Sequence, residues 1–153
     1  MGIWGNKELG GENMKMFNHV QIKVKDIKTS REFYDAIMSV MGYPIVLDIA
    51  DVVGYGTSVH NMFEIRQSNA TALLSQFVHV AFNASSKEIV DSFYLIALAN
   101  GATCNGKPGL RPRYEVGYYS AFVSDPDGHN IEAVCSEKIN PEWVEFPAAC
   151  GVN

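Results

Sequence analysis

Apolar and polar residues alternate from Phe17 to Val24, with Val20, Ile22 and Val24 on one face and His19, Gln21 and Lys23 on the other. This period of two predicts a strand over about 17–24. Asp26 and Thr29-Ser30 then offer helix caps. Phe33, Tyr34, Ile37, Met38 and Met41 recur at helical spacing, which predicts a helix over about 29–41 that ends at Gly42. Two or three strands follow at about 44–50, 52–58 and 60–67, with Gly54 and Gly56 marking a turn or bulge. The succession then starts again. Val78, Val80 and Phe82 share one face of a strand over about 77–83. Ser85-Ser86 cap a helix over about 86–100 that turns Ile89, Val90, Phe93, Tyr94, Ala97 and Leu98 inward and ends at Gly101. The Gly-, Pro- and Arg-rich stretch from Asn105 to Arg113 reads as a loop, and Gly109-Leu110-Arg111-Pro112-Arg113-Tyr114 places two arginines and a tyrosine in a lid-like segment that could close over substrate. Strands at about 118–124 and 130–136 flank the turn signal Asp125-Pro126-Asp127-Gly128.

The second succession is a copy of the first. Phe17-Asn18-His19-Val20 matches Phe77-Val78-His79-Val80 at an offset of 60 residues, and the same offset lays Phe33-Tyr34 on Phe93-Tyr94. An unbroken register over that length indicates an internal repeat. The expected fold class is α+β: two βαβββ modules forming a cupped, mixed sheet with the helices on the outside. The modules are expected at 16–68 and 77–136, making one domain over 16–136. A Gly-rich extension (1–15) precedes it, and a tail (137–153) carries Trp143 and Phe146.

The faces turned away from the helices carry the candidate chemistry. His19 lies there in the first module and His79 in the second. In the last strands, Phe63 and Ile65 point inward and leave Glu64 and Arg66 on the other side, while Ile131 and Ala133 do the same for Glu132. Each module therefore supplies one imidazole and one carboxylate. Two His and two Glu suit a divalent first-row ion (Ni, Zn, Mn, Co or Fe) with positions left for substrate. Without thiolates the set is unlike a structural zinc site. Candidate substrate contacts are Arg66, Gln21, Asn83, Arg113, Tyr118 and Tyr119. The two tyrosines alternate faces, so only one of them can enter the cup. His60 and His129 stand beside turns and read as plain surface residues.

Composition narrows the function class. The chain is 47% hydrophobic and 19% charged, as expected of a globular domain, and its net charge of −5 comes without a basic cluster, which argues against nucleic-acid binding. No apolar run reaches bilayer-spanning length, and residues 1–16 lack a signal-peptide core. The three cysteines, Cys104, Cys135 and Cys150, lack metal-type spacing, so reduced thiols and a cytoplasmic location are expected.

Several segments together resemble the vicinal oxygen chelate superfamily, which includes glyoxalases, bleomycin-resistance proteins and extradiol dioxygenases. They are Asn18-His19-Val20-Gln21-Ile22, Arg31-Glu32-Phe33-Tyr34, His79-Val80-Ala81-Phe82, and the run from Gly117-Tyr118-Tyr119 through Asp125-Pro126-Asp127-Gly128 to Asn130-Ile131-Glu132. The resemblance covers about residues 16–136 and is to the glyoxalase-family group. It implies a metal site at His19, Glu64, His79 and Glu132, with Glu132 or Glu64 moving a proton. It also implies a homodimer, in some members with the site built across two chains. The activity expected from it is that of a metal-dependent lyase or isomerase acting on a small oxygen-chelating substrate. Two alternatives are a metal-free sequestration protein of bleomycin-resistance type and a three-ligand dioxygenase or transferase using His19, His79 and Glu132.

Overall fold

The computed structural model describes residues 16–136; the expected extension, the tail with Trp143 and Phe146, and Cys150 lie outside the described residues. The first module comprises β1 (His19–Val24), α1 (Ile27–Met41), β2 (Ile45–Ile49), β3 (Val52–Ser58) and β4 (Asn61–Gln67). The second comprises β5 (His79–Asn83), α2 (Lys87–Ala99), β6 (Thr103–Leu110), β7 (Tyr118–Ser124) and β8 (Asn130–Ser136). Each module folds as one four-stranded sheet, in the order β1-β4-β3-β2 and β5-β8-β7-β6. The first strand crosses over through its helix, three strands meander back antiparallel, and the last lies parallel to the first. The fold is the expected two-module α+β arrangement, and among the described residues no strand pair joins the two sheets.

Local chemistry sets the helix ends. Asp26 caps α1 by accepting from the Thr29 N–H at 2.8 Å, and Ser86 caps α2 by accepting from the Ile89 N–H at 3.3 Å. Gly42 ends α1 in the left-handed conformation, φ 80°, which a residue without a Cβ adopts at little cost. The stretch expected as a loop at 105–113 is largely strand. Thr103–Leu110 pairs with β7 through two register shifts, and Pro108 is tolerated because β6 is a sheet edge where one missing N–H leaves no neighbour unpaired.

One core serves both modules. Phe33, Tyr34, Ile37 and Met38 of α1 pack with Val90, Phe93 and Ala97 of α2 and with Ile22, Ile65, Val123 and Ile131 from the sheets. Phe63 of the first module meets Phe82 of the second edge-on at 5.1 Å. The core faces of the sheets are thus spent on the helices and on each other, and the opposite faces remain open.

A buried polar network ties the modules together, and here the surface assignment of His129 is corrected. His129 is 2% exposed and Asp125 4% exposed. Nδ1 of His129 lies 3.0 Å from Asp125 Oδ2, and Nε2 lies 3.0 Å from the Ser75 carbonyl. A carbonyl and a carboxylate only accept, so both ring nitrogens donate and His129 is an imidazolium. The hydrogen bond to Asp125 raises its pKa above the ordinary value, against burial, which lowers it. Tyr34 on α1 donates to the same Asp125 Oδ2 at 2.8 Å, and burial followed by Asp125 pushes its phenol far up. Asp125 Oδ1 accepts from the Asp127 and His129 N–H groups, while Asp127 accepts from the Lys25 N–H of the first module. The turn folds back because its leading aspartate captures these donors, which draws the histidine inward.

Candidate functional site

The repeat places its chemistry at equal register in the two sheets. Gln21 on β1 stands opposite Glu64 on β4, and Ala81 on β5 stands opposite Glu132 on β8. Both carboxylates lie on the open sheet faces, yet they are 5% and 2% exposed. Neighbouring side chains enclose them.

The contrast between Gln21 and Ala81, opposite Glu64 and Glu132, helps decide what each carboxylate touches. Ala81 is too short to reach Glu132, so that carboxylate is held by His79 and Tyr118. His79 Nε2 lies 3.0 Å from Oε2, and the Tyr118 hydroxyl donates to Oε1 at 2.8 Å. Burial and the hydrogen bond to Glu132 push the Tyr118 phenol up to about 12, so it is a neutral donor at physiological pH. In the first module Gln21 does reach across, and its Nε2 donates to Glu64 Oε2 at 2.6 Å. The Gln21 carbonyl in turn accepts from Lys23 Nζ, which fixes the amide's orientation. His19 turns to its neighbour instead, with Nδ1 3.0 Å from Asn18 Oδ1. Gly54 lies beside Glu64: a Cβ there would come within 2.8 Å of Met62 Sδ and 3.6 Å of Glu64 Cγ. The missing side chain leaves the carboxylate room.

The remaining candidates divide by face. Tyr118 points onto the site, whereas Tyr119 packs at the core side and donates to Asp91 of α2 at 2.8 Å, which keeps it out of the cup. Arg66 pairs with Asp51, Nε to Oδ2 at 3.5 Å. Asn83 is an exposed residue at the end of β5, its backbone carbonyl accepting from Tyr43. Arg113 lies exposed in the turn after β6. Sequence reasoning missed Phe122 and placed Arg111 and Tyr114 only in the lid segment. Phe122 is the cross-strand partner of Glu132, and its ring lies 6.1 Å from that of His79. Arg111 caps Phe122, its Cζ 5.5 Å from the ring centroid. Tyr114 packs edge-on against Tyr118 at 5.4 Å. Alternation along β7 (Tyr118, Ser120, Phe122) could have identified Phe122.

The donor chemistry of the second module fits a metal ion. Ligand bonds of about 2.1 Å put about 3.0 to 3.4 Å between neighbouring ligand atoms, from right-angle to tetrahedral geometry, and the hydrogen-bonded His79 Nε2 and Glu132 Oε2 lie 3.0 Å apart. Within one chain the set stops at that pair: among the described residues no group of three or more His, Cys, Asp or Glu side chains is gathered as a metal site. A cavity of about 510 Å³ lies elsewhere, lined by Asp35, Ser39, Tyr43, Pro44 and Tyr55 on the first module. It holds none of the candidate ligands. Asp35 there is already engaged by Arg31 and by the Tyr55 hydroxyl.

The family model for the Glyoxalase/Bleomycin resistance protein/Dioxygenase superfamily matches residues 16–133. A glyoxalase/bleomycin resistance protein from Albidiferax ferrireducens T118 is 31% identical, with a TM-score of 0.66 over 78% of this chain and 98% of that one. A glyoxalase/bleomycin resistance protein/dioxygenase family enzyme from Burkholderia phytofirmans PsJN has the same coverage at 21% identity and a TM-score of 0.62. Lactoylglutathione lyase from Agrobacterium tumefaciens shares the fold at 18% identity and a TM-score of 0.57, over 80% of this chain and 95% of that one. No curated protein matches the chain in sequence. Among the described residues no helix is long and apolar enough to cross a membrane.

Proposed function

The chain belongs to the Glyoxalase/Bleomycin resistance protein/Dioxygenase superfamily, and on that premise we propose that it is a metal-dependent lyase or isomerase acting on a small oxygen-chelating substrate. The observation that carries the proposal is the buried Glu132 carboxylate, fixed between a potential metal ligand, His79, and a neutral phenol, Tyr118. His79 and Glu132 would hold the ion from one module, and His19 and Glu64 from the other. When bound, the ion supplies Lewis acidity, stabilising negative charge on a substrate carbonyl or hydroxyl oxygen. Glu132 takes a proton from the carbon beside that oxygen and returns it to the neighbouring position. Tyr118 keeps Glu132 Oε1 aimed, and the enclosing side chains exclude water from the carboxylate.

A second copy of the chain completes the site in this proposal. The half-sites lie on open sheet faces, because the helix-facing sides are used within the chain. β1 and β5 are both sheet edges, and Phe17 and Phe77, equivalent in the repeat, stand just before them with 61% and 102% of their surface exposed. Two matching apolar residues beside the two outer strands suit a two-fold contact in which the first module of one copy meets the second module of the other. The sequestration alternative takes a flat or cationic guest, and Arg111 in the site wall disfavours the cationic form of it.

Elemental analysis of protein purified without a His tag tests the proposal. Stoichiometric first-row metal in the wild type and its loss in a folded His79→Ala variant are expected. Retention of the metal by that variant refutes the ligand assignment. Glu132→Gln, which keeps an oxygen ligand, is expected to retain metal while turnover falls by about 10²–10⁴-fold.

A further inference from the structure

We propose that Arg111 is the anion anchor of this site and that the substrate is a small carboxylic acid with a carbonyl or hydroxyl oxygen next to its carboxylate. The proposal takes the position of the reacting carbon from the metal-site reading, but the anion contact stands on separate observations.

The arginines of the described residues differ in how their charge is met. Arg31 grips Asp48 with two bonds of 2.9 and 2.7 Å and also meets Asp35. Arg66, which shares a sheet face with Glu64, pairs with Asp51. Arg113 sits in an exposed turn, away from the strands. Arg111 is half-buried and has no carboxylate partner among the described residues. Two backbone carbonyls hold it instead: Nη2 donates to Lys107 O at 2.6 Å and Nη1 to Leu110 O at 3.4 Å. Carbonyls orient a guanidinium without neutralising it, and its remaining N–H groups stay available.

Its position ties that unspent charge to the chemistry. The guanidinium lies over Phe122, and the Phe122 ring is next to His79, which touches Glu132. Arg111 and the His79–Glu132 pair therefore flank a single aromatic ring. The centroid distances, 5.5 Å on one side and 6.1 Å on the other, suit a short molecule. An aromatic floor is poorly polarisable compared with water, so a charge pair formed above it is screened less than at open surface. A planar fork with unused donors is complementary to a carboxylate. A single guanidinium suits a monoanion better than a phosphate dianion. With the carboxylate on Arg111, the adjacent oxygen and carbon of the acid turn toward His79 and Glu132, where the proton is to be moved.

Calorimetric titration tests this with three probes: 2-oxobutyrate, the uncharged 2,3-pentanedione and inorganic phosphate. Wild type, Arg111→Ala and Arg111→Lys are titrated as purified and after chelator treatment, and the metal content of each is measured. Wild type is expected to favour the keto acid over the diketone by about tenfold or more. Arg111→Ala should lose that preference at wild-type metal content, and Arg111→Lys should keep only part of it, because a point charge lacks the fork. Equal keto-acid affinity in wild type and Arg111→Ala overturns the proposal, as does a wild type that shows no preference or favours phosphate. Arg111-dependent binding in protein that takes up no metal leaves the anion anchor standing and removes the metal reading. Metal uptake without Arg111 dependence does the reverse.

Discussion

Replacing His129 with Leu is expected to cost about 3–5 kcal/mol of folding stability, because it strips one partner from a buried ion pair and leaves the other charge uncompensated. The structure puts the change in that range. The side chains of His129 and Asp125 are 2% and 0% exposed, so water cannot take over the solvation of the remaining carboxylate. The Ser75 carbonyl loses its donor as well. Tyr34→Phe is the milder companion, removing one hydrogen bond to the same carboxylate for about 1.5–3 kcal/mol. Urea unfolding of wild type and both variants, read by circular dichroism across pH 6 to 9, measures the costs. It also carries a pH signature. The folded-state pKa of His129 is raised above the ordinary value of 6.5, so the stability it contributes is complete below about 6.5 and is lost as pH rises through the folded value. Wild-type stability should therefore fall over that upper window with a slope that His129→Leu lacks. A cost below about 1 kcal/mol, or parallel pH profiles for wild type and His129→Leu, refutes the buried imidazolium and its role in joining the modules.

Three further outcomes follow. Ser86→Ala, which removes the α2 N-cap, is expected to lower stability by about 1 kcal/mol in the same urea assay. Gly56→Ala places a Cβ against the Asn61 carbonyl oxygen and the Met62 Cα, backbone atoms that cannot swing away, and should cost about 1–3 kcal/mol. Chelator treatment of metal-loaded wild type should lower its thermal midpoint, since an ion bound only by the folded state stabilises it, and the shift should be absent in His79→Ala.

The periodicities made the modules legible, because strand alternation and helical stripes are written at every position, and the repeat then fixed the equivalence of His19 with His79. The same alternation put Glu64 and Glu132 on the open faces, where they stand. Other features depend on geometry that a linear pattern does not encode. Gly106, Pro108 and Gly109 look like breakers and predict a loop, and only the place of β6 at a sheet edge makes them tolerable in a strand. A histidine beside a turn predicts exposure, whereas the burial of His129 follows from the donors gathered by Asp125. Arg111 and Arg113 both follow β6, and only the folded chain shows that Arg111 lies over Phe122 while Arg113 is exposed in the turn. The contrast between Gln21 and Ala81 was visible in the repeat, but its consequence for the two carboxylates required knowing which residues stand opposite one another across the sheet.

The central claim is that one site draws His19 and Glu64 from one copy of the chain and His79 and Glu132 from another. Mixing His19→Ala and His79→Ala chains after partial unfolding and reassembly tests it directly. Each variant alone should bind little metal. The mixture should recover about a quarter of wild-type metal, because half of randomly assorted dimers are mixed and each of those holds one intact site of two. A mixture that binds no more metal than the variants measured separately contradicts the shared site.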